Sequence, residues 1–363
     1  MKALITAGGR ATRLRPITWN RNKHSIPLAN KPMLQYAIEK IVDAGVTDIG
    51  ISINEGEQEL QKVFGNGEKF NCTITYIEQR GGALGLAHVV KNARDEGFLR
   101  TGDSFIMYLG DNILGTDINA LINKFKQEEF HCMLALSRVP DPERFGVPEI
   151  KDGKIIRVEE KPKEPKSDFA ITGIYVYDHH ALEVLDSLQK SARGEYEITD
   201  IHQYYIDKGL RVGFQEIKGW WKDTGKPEDL LIGNQYILDG LGEHEMEVAR
   251  NATIHPTAKL QGKVRVGANA VIGEKTLIRG PVVIGENCVI ENSYIGPYTS
   301  LGNMVTIRNS EIEHSIILDN AMINAHARVV DSIVGAGATI SRVQDSLPHG
   351  HKLVVGDNSV VEL

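Results

Sequence analysis

An aliphatic residue recurs at every sixth position through most of the last third of this 363-residue chain. The uninterrupted part of the series is Ile254, Leu260, Val266, Ile272, Ile278, Ile284 and Ile290. Beyond Ile290 some steps shorten to five residues, and the series ends at Ile340. A β-sandwich would instead show alternation with a period of two residues, so the pattern argues against that architecture.

Small residues follow many of these aliphatic positions, as in Val266-Gly267 and Ile284-Gly285. Three hexads close one triangular turn of chain, in which the aliphatic side chain fills a corner and the small residue permits the bend. Residues 251–343 therefore resemble a left-handed parallel β-helix of the hexapeptide-repeat type. We expect its flat faces to pack around a symmetry axis, giving a homo-oligomer, either a trimer or a tetramer. Residues 240–250 are predicted to be a linker, and residues 344–363 a C-terminal tail.

Residues 1–239 alternate between strand-like and helix-like patterns. The predicted strands are Lys2–Ala7, Asp48–Ile53, Thr73–Glu78 and Ser104–Leu109. The predicted helices are Lys31–Ala44, Glu57–Phe64 and Leu84–Arg94. This alternation predicts an α/β domain with a Rossmann-like, mostly parallel sheet covered on both faces. Ligands of such sheets bind at the carboxyl ends of the strands.

The composition excludes several classes of protein. A net charge of −7 argues against a general nucleic-acid binder. No apolar run is long enough to span a membrane, and too few residues precede Gly8 to form a signal peptide. Cys72, Cys132 and Cys288 lack the spacing of a metal site. We therefore expect a cytoplasmic protein with buried, reduced cysteines and with no nucleic-acid or membrane partner.

The stretch GGRATRLRP, residues 8–16, follows the first predicted strand. It lacks the terminal Gly-Lys-Ser/Thr of a Walker loop and the third glycine of a dinucleotide fingerprint. Gly8 and Gly9 allow backbone amides to approach an oxyanion closely, and the forked guanidinium of Arg13 can clamp phosphate oxygens. The stretch is therefore predicted to be an anion-binding loop of another kind.

Several longer motifs carry a resemblance to a known family. They are AGGRATRLRPIT (7–18), NKHSIPLANKPMLQYAIEKI (22–41), EQRGGALGLAHV (78–89), LGDNI (109–113), VEEKP (158–162), TGIYVYD (172–178), RGEYEITD (193–200) and GWWKDTGKPEDLL (219–231). Together they resemble the sugar-1-phosphate nucleotidyltransferases, and most closely the long-chain glucose-1-phosphate thymidylyltransferases. One departure is Ala11, where that family usually has glycine. If this position required a positive φ, alanine would cost about 1 kcal/mol.

The resemblance implies an in-line attack of a sugar-phosphate oxygen on the α-phosphorus of a nucleoside triphosphate, with release of pyrophosphate. The nucleophile is already ionised, so the reaction requires charge neutralisation and alignment rather than a general base. By resemblance, Arg13 and Lys23 would hold the triphosphate, and Asp111 and Asp223 would bind Mg²⁺. Lys161 would meet the sugar phosphate as a third catalytic cation.

The resemblance also implies the remaining contacts with the two substrates. The nucleotide site would comprise Gly8, Gly9, Thr12, Arg13, Gln79 and Gly85. The sugar-phosphate site would comprise Gly146, Glu160, Lys161, Ile171, Thr172, Gly173 and Arg193.

The resemblance favours dTTP, or UTP, as the nucleotide and glucose 1-phosphate as the sugar phosphate. An alternative is a UTP-dependent uridylyltransferase for glucose 1-phosphate or N-acetylglucosamine 1-phosphate. That enzyme would be bifunctional if the β-helix also transferred acetyl groups, and the histidines considered as its base are His255, His314, His326, His349 and His351. A catalytically silent scaffold is disfavoured, because such a protein would be expected to lose a metal carboxylate or the loop lysine, Lys23.

Overall fold

The computed structural model describes residues 1–9, 11–242 and 246–342. The chain divides into two compact units, and each is discontinuous in sequence. The first, here called the sheet unit, holds Met1–Arg10 and Met33–Asp223. The second, here called the β-helix unit, holds Ala11–Pro32 and Thr224–Leu363. The predicted tail, residues 344–363, lies outside the described residues, as does residue 343. No helix in the described ranges is both long and apolar enough to cross a membrane.

In the described part of the chain, thirteen strands precede the β-helix. They are β1 (Lys2–Thr6), β2 (Pro27–Leu28), β3 (Lys31–Pro32), β4 (Asp48–Ile53), β5 (Thr73–Glu78), β6 (Phe105–Leu109), β7 (Asn112–Leu114), β8 (Cys132–Arg138), β9 (Gly146–Lys151), β10 (Lys154–Glu160), β11 (Phe169–Tyr177), β12 (Val212–Glu216) and β13 (Trp221–Asp223). The α-helices are α1 (Met33–Asp43), α2 (Glu59–Phe64), α3 (Leu86–Asp95), α4 (Asn119–Gln127), α5 (Ile198–Asp207) and α6 (Pro227–Asp239).

A nine-stranded sheet forms the centre of the sheet unit. Its main path runs β10-β9-β11-β6-β1-β4-β5, and β8 pairs with both β11 and β12. Strands β1, β4, β5 and β6 are parallel, as the alternation predicts. Strand β11 runs antiparallel to β6, β8 and β9, so the sheet is mixed beyond β6. Buried apolar clusters cover both faces of this sheet, in agreement with the predicted architecture.

The predicted elements of the first hundred residues are found with small changes at their ends. Strands β4 and β5 have the predicted bounds. The helix expected over Lys31–Ala44 begins at Met33, because Lys31–Pro32 pairs with Pro27–Leu28 in a two-stranded ribbon. Leu34, Ala37, Ile38 and Ile41 of this helix are fully buried, so the helical spacing identified its core-facing side correctly.

The β-helix consists of three parallel sheets formed by short strands. The strands are Met246–Val248, Thr253–Ile254, Lys259–Gln261, Val264–Val266, Val271–Ile272, Leu277–Arg279, Val282–Ile284, Val289–Glu291, Tyr294–Ile295, Thr299–Leu301, Thr306–Arg308, Glu311–Glu313, Ile316–Ile317, Met322–Asn324, Arg328–Val330, Ile333–Val334 and Thr339–Ser341. The first of these lies within the predicted linker and pairs with Val264–Val266. The β-helical pairing therefore extends into residues 240–250.

The repeat register explains how the coils stack. Ile254 pairs with Ile272, which pairs with Ile290 three hexads later. Ile290 then pairs with Ile307, one residue sooner than three full hexads would place it. A five-residue step in the sequence therefore makes one coil a residue shorter. The aliphatic side chains of successive coils still stack on one another, and we call this stack the aliphatic column. Its members from Ile272 to Ile323 are fully buried, and this confirms the predicted left-handed parallel β-helix.

The β-helix unit also contains the segment Ala11–Pro32, and the side chain of Asn234 links this segment to the repeats. Asn234 of α6 is fully buried. Its Oδ1 accepts hydrogen bonds from the Ala29 amide at 2.8 Å and from Ser300 Oγ at 2.7 Å. Its Nδ2 donates to the carbonyl oxygen of Tyr298 at 3.0 Å. We call this arrangement the Asn234 clamp, and a second bond, from Asn30 Nδ2 to the Leu301 carbonyl at 2.6 Å, supports it.

Candidate active site

Four strands of the sheet unit end side by side, and polar residues follow each of them. The pairing of Thr6 with Leu109, and of Ile53 with Glu78, places these ends at one edge of the sheet. We call it the carboxyl edge. It carries Gly8 and Gly9 after β1, Asn54 after β4, Gln79 after β5 and Asp111 after β6. The glycine loop and Asp111 therefore lie at the same edge of the sheet.

The glycine loop is held by a residue that sequence reasoning missed. Asn54 Oδ1 accepts from the Gly9 amide at 2.8 Å, and Asn54 Nδ2 donates to the Gly9 carbonyl at 3.1 Å. A Cβ on Gly8 would lie only 2.7 Å from Gln79 Oε1, so a larger residue at this position would force the Gln79 side chain to move. Gln79 is 5% exposed. The available signal for Asn54 was its position directly after a predicted strand on this edge.

The two predicted metal carboxylates are brought together by a short ribbon. Strands β7 and β13 are antiparallel, and Asp223 pairs with Asn112, the neighbour of Asp111 in sequence. Asn112 is buried; its Oδ1 accepts from Trp221 Nε1 at 2.6 Å, and its Nδ2 donates to Asp111 Oδ1 at 3.0 Å. Two neighbouring carboxylates are a donor set that suits Mg²⁺, which takes its other ligands from phosphates and water. The residues present therefore fit a divalent cation of this kind.

The predicted sugar-phosphate residues form a second cluster. Gly146 pairs with Glu160 on one side and with Ile171 on the other. The Glu160 carboxylate lies 3.4 Å from Arg193 Nη1 and 3.7 Å from Lys161 Nζ. Burial raises the pKa of Glu160 above its ordinary value, and the two cations only partly offset this effect. Cations and a hydrogen-bond acceptor thus occur together, as recognition of a phosphorylated sugar requires.

Strand β11 carries the other predicted sugar-site residues on an irregular segment. Its pairing with β8 shifts register between Ile171 and Tyr175. The Thr172 hydroxyl is buried and donates to the Ala135 carbonyl at 2.9 Å. A Cβ on Gly173 would lie 2.5 Å from Leu109 Cγ, so glycine permits the close packing of β11 on β6. For Thr172 and Gly173 these contacts are internal to the protein, and their roles toward a sugar phosphate stay predictions.

One buried phenol shows that the two clusters share a region. Tyr175 lies in β11, and burial raises its pKa strongly. The negative charges of Glu160, Asp111 and Asp223 raise that pKa further. The metal-type carboxylates and the sugar-site carboxylate therefore all act on the same side chain. This proximity joins motifs that are separated by up to about a third of the chain.

The segment expected to read the base is braced against the loop that precedes α5. Gly85 has φ +103°, and a Cβ there would lie 2.4 Å from the carbonyl oxygen of Tyr196. The Tyr196 amide donates to the Leu84 carbonyl at 2.7 Å, and the Ala87 amide donates to the Tyr196 carbonyl at 3.1 Å. Gly85 is therefore needed for this close approach whether or not it touches a nucleotide.

Two residues at motif positions adopt the left-handed backbone conformation that favours glycine. Lys161, directly after β10, has φ +45°, and its amide donates to the Phe145 carbonyl at 2.9 Å. Ala11 has φ +44° and ψ +38°. The positive φ at Ala11 meets the condition stated for the departure from the family's glycine. Strained backbone of this kind is concentrated at functional sites.

The remaining predicted residues belong to the β-helix unit. Thr12 and Arg13 form part of a single 3₁₀ turn, Thr12–Leu14, and both are exposed. Lys23 begins a second 3₁₀ turn, Lys23–Ser25, and the Asn22 side chain caps this turn by accepting from the His24 amide at 2.9 Å. Their roles toward a triphosphate stay predictions.

The histidines weighed for acetyl transfer are only partly described. His255 Nδ1 lies 2.8 Å from Thr257 Oγ1, and His314 Nδ1 lies 2.5 Å from Asp331 Oδ1. His349 and His351 lie outside the described residues. All three cysteines are buried and none forms a disulfide, in agreement with packing roles.

Comparison with known proteins supports the assignment of the motifs. A family model described as Nucleotidyl transferase matches residues 2–240, and one described as GMPPB C-terminal domain matches residues 278–362. The low-salt glycan biosynthesis nucleotidyltransferase Agl11 of Haloferax volcanii is 42% identical over 366 residues, which cover 100% of both chains. A glucose-1-phosphate thymidylyltransferase of Streptomyces griseus is 39% identical, covering 100% of this chain and 99% of the relative.

A solved structure is similar to most of the chain. It is a Bacillus anthracis protein assigned provisionally as a glucose-1-phosphate thymidylyltransferase, crystallised with a sucrose. The TM-score is 0.61 at 37% sequence identity, and the match covers 68% of this chain and 98% of the other. With the site geometry and the match over residues 2–240, these findings show that the chain belongs to the nucleotidyl transferase family, in the sugar-1-phosphate branch that its motifs resemble.

Proposed function

We propose that this protein is a glucose-1-phosphate thymidylyltransferase, which joins dTTP, or UTP, to glucose 1-phosphate and releases pyrophosphate. The observation that supports the proposal is the pairing of Asp223 with Asn112, the neighbour of Asp111, together with the shared effect of Asp111, Asp223 and Glu160 on Tyr175. A phosphate oxygen of the sugar phosphate forms a bond to the α-phosphorus while the bond to the bridging oxygen of pyrophosphate breaks. No proton has to be transferred, so the absence of a general base from the proposed roles is expected.

The protein groups would act by binding and orienting two anions. Lys161 and Arg193 would hold the sugar phosphate, and Glu160 would accept hydrogen bonds from sugar hydroxyls. The amides of Gly8 and Gly9, with Thr12, would approach the nucleotide, and Arg13 and Lys23 would neutralise the departing pyrophosphate. Asp111 and Asp223 would hold Mg²⁺, which when bound offsets phosphate charge and aligns the reacting groups.

Gln79 is proposed to read the base. Its side-chain amide offers one acceptor and two donor hydrogens, which complement the N3–H donor and O4 acceptor of thymine and uracil together. Cytosine inverts this pattern and would leave buried polar groups unpaired, at a cost of about 1–3 kcal/mol. Discrimination between dTTP and UTP rests on a methyl and a hydroxyl group and should be weaker.

The test is a panel of five nucleoside triphosphates against glucose 1-phosphate and N-acetylglucosamine 1-phosphate, with pyrophosphate release as the readout. We expect dTTP with glucose 1-phosphate to give the highest kcat/KM and UTP to be used second. Gln79→Ala should raise KM for both and relax the rejection of CTP. A preference for ATP, GTP or CTP would contradict the base assignment, and a preference for N-acetylglucosamine 1-phosphate would contradict the sugar assignment.

The β-helix is proposed to mediate assembly with further copies of this chain. One of its sheets presents an uncharged outer ladder. The ladder consists of Thr253, Val271, Val289, Thr306, Met322 and Thr339. Val271 is 37% exposed and Met322 is 50% exposed. The absence of charged side chains from such a stripe is typical of the centre of surfaces buried between subunits.

Light scattering of the full chain tests the proposed assembly. We expect a trimer or tetramer for the unmodified protein and a smaller mass for the double variant Val271→Lys, Met322→Lys. Glu311→Lys, on the outer face of another sheet, is the matched control and should keep the native mass. A monomeric unmodified protein, or a double variant of unchanged mass, would contradict this assembly surface.

A further inference from the structure

A cluster of metal-ligating side chains lies at the end of the sheet opposite the candidate active site. His131 directly precedes β8, and Asp178, His179 and His180 directly follow β11. Tyr177 pairs with both Cys132 and Phe105, the first residues of β8 and β6. The cluster therefore lies at the amino edge of β6, whereas Asp111 follows the carboxyl end of the same strand. The two groups are separated by the full length of β6.

The donor atoms of this cluster are close to one another. One donor atom from each of His131, Asp178 and His180 lies within 4.8 Å of the other two. His180 Nδ1 is 2.8 Å from Asp178 Oδ2, and the rings of His131 and His180 are 5.4 Å apart between centroids. A second group of donors, from His179, His180 and Glu183, meets the same distance limit and shares His180 with the first.

The hydrogen bonds of Asp178 occupy its Oδ1 and leave Oδ2 directed at His180. Asp178 Oδ1 accepts from the His180 amide at 3.0 Å and from the Tyr205 hydroxyl at 2.9 Å. Outer-sphere hydrogen bonds of this type orient carboxylate ligands in metal sites. Asp178 also caps the single 3₁₀ turn His179–Leu182. Capping explains why the Asp178 side chain contacts His180, but it does not explain why His131 lies beside them.

The third member of the cluster, His131, carries the observation that points to a ligand. Its Nδ1 is buried and has no hydrogen-bond partner among the residues that the structure describes. A buried polar atom without a partner costs about 1–3 kcal/mol, so native proteins rarely leave one unsatisfied. An imidazole nitrogen beside another imidazole and a carboxylate is satisfied by a metal ion that accepts its lone pair.

We propose that His131, Asp178 and His180 bind one Zn²⁺ ion, or another first-row transition ion of similar preference. Imidazole ligands suit zinc, nickel and cobalt, whereas Mg²⁺ prefers oxygen ligands, so the site differs in metal class from the Asp111 and Asp223 pair. Binding through His180 Nδ1 requires the neutral tautomer that carries its proton on Nε2, and the ion then takes the place of the hydrogen bond between Nδ1 and Asp178 Oδ2. Water completes the coordination of the ion.

The role proposed for the ion is to cross-link the side chains that flank β8 and β11 at this edge of the sheet. His131 and Asp178 already meet through the backbone, because the Asp178 amide donates to the His131 carbonyl at 2.9 Å. A shared ion would add a side-chain link between the start of β8 and the end of β11. Since the ion binds the folded chain, zinc at about a hundredfold over Kd should raise the Tm by about 5 °C. The proposal is independent of the nucleotidyl transfer reaction, because no residue of the cluster belongs to the proposed active site.

Calorimetric titration of the full chain with ZnCl₂ tests the site, after removal of metals by chelation and in saturating Mg²⁺ to occupy the oxygen-rich pair. We expect one zinc ion per chain. His131→Gln should lower the affinity roughly hundredfold. His255→Gln, which changes a histidine of the β-helix, is the control and should bind like the unmodified chain. Equal zinc affinity in His131→Gln, or no zinc binding by the unmodified chain, would overturn the proposal.

Cobalt provides a second readout that needs no variant. Co²⁺ bound by two imidazoles and a carboxylate should give a visible absorption band that one equivalent of Zn²⁺ removes. If His131→Gln is poorly folded by circular dichroism, this spectrum on the unmodified chain decides the question. Absence of the band, or its persistence in zinc, would contradict the site. Turnover with Mg²⁺ is expected to be the same with and without zinc.

Discussion

The two units hold their motif residues in different ways. In the sheet unit, Asp111, Asp223 and Glu160 occupy strand ends and loops whose side chains converge across long sequence separations. In the β-helix unit, the aliphatic columns are strictly local repeats, yet this unit also holds the segment with Arg13 and Lys23. The Asn234 clamp fastens that segment to the repeats. The comparison teaches that the β-helix supports part of the motif set, in addition to the role in assembly that we propose for it.

The largest expected effect is the loss of turnover when either predicted metal ligand, Asp111 or Asp223, loses its charge. Asp111→Asn and Asp223→Asn should each reduce turnover at least about a hundredfold, because the amide keeps the shape of the carboxylate and loses the charge that binds the metal. Turnover at limiting Mg²⁺ is the measurement. Asp152→Asn, in an exposed turn, is the matched control and should leave turnover unchanged. A near-normal rate in either of the first two variants would contradict the assignment of that carboxylate as a metal ligand.

The Asn234 clamp gives the next largest effect. Asn234→Ala leaves the Ala29 amide and the Tyr298 carbonyl without their partner, so we expect the KM for the nucleotide to rise about tenfold with a smaller change in kcat. Asn234→Asp keeps the acceptor for Ala29 and Ser300 and should recover part of the loss. Steady-state kinetics with varied nucleotide give both constants.

Ser300→Ala is the graded comparison, because it removes only one donor from the clamp. Its KM should lie between that of the unmodified chain and that of Asn234→Ala. If Asn234→Ala lowers the Tm while the nucleotide KM is unchanged, the clamp supports the fold alone. The proposed link between the β-helix and nucleotide binding would then fail.

The sequence allowed the β-helix to be predicted coil by coil and the sheet only in part. A hexad repeat is local, so each aliphatic position predicts the structure of the few residues around it. Three hexads make one coil, and the pairing of Ile254 with Ile272 follows directly. The antiparallel course of β11 and the register shift after Ile171 depend on pairing partners far away in sequence. The Asn54 contact with Gly9 and the Asn234 clamp were missed for the same reason, since neither asparagine has a periodic signature.

A smaller effect concerns the backbone of the anion-binding loop. Ala11→Gly should raise the free energy of unfolding by about 0.5 kcal/mol, because relief of the positive φ exceeds the added entropy of the unfolded chain. Denaturant unfolding measures this difference. Ala258→Gly is the control: Ala258 has no positive φ, and the substitution should destabilise the protein. A destabilised Ala11→Gly would show that the alanine is not strained.

The smallest effect is a pH dependence in the sheet unit. Burial raises the pKa of Glu160 above its ordinary 4.5, so the folded chain holds a proton that the unfolded chain has lost. Stability must therefore fall as pH rises from about 4.5 through the raised pKa. Glu160→Gln removes this contribution, so its stability relative to the unmodified chain should increase over that range. Glu159→Gln, next in sequence, is the control, and parallel profiles for all three proteins would contradict the raised pKa.

The central claim is the transfer of a nucleotidyl group to a sugar phosphate, and the fate of labelled phosphorus tests it most directly. The full chain is incubated with Mg²⁺, glucose 1-phosphate and dTTP labelled at either the α- or the γ-phosphorus. The account predicts that the α label enters a nucleotide sugar and the γ label enters pyrophosphate, in equal amounts. Release of the γ label as inorganic phosphate, or an α label that never reaches the sugar, would contradict it.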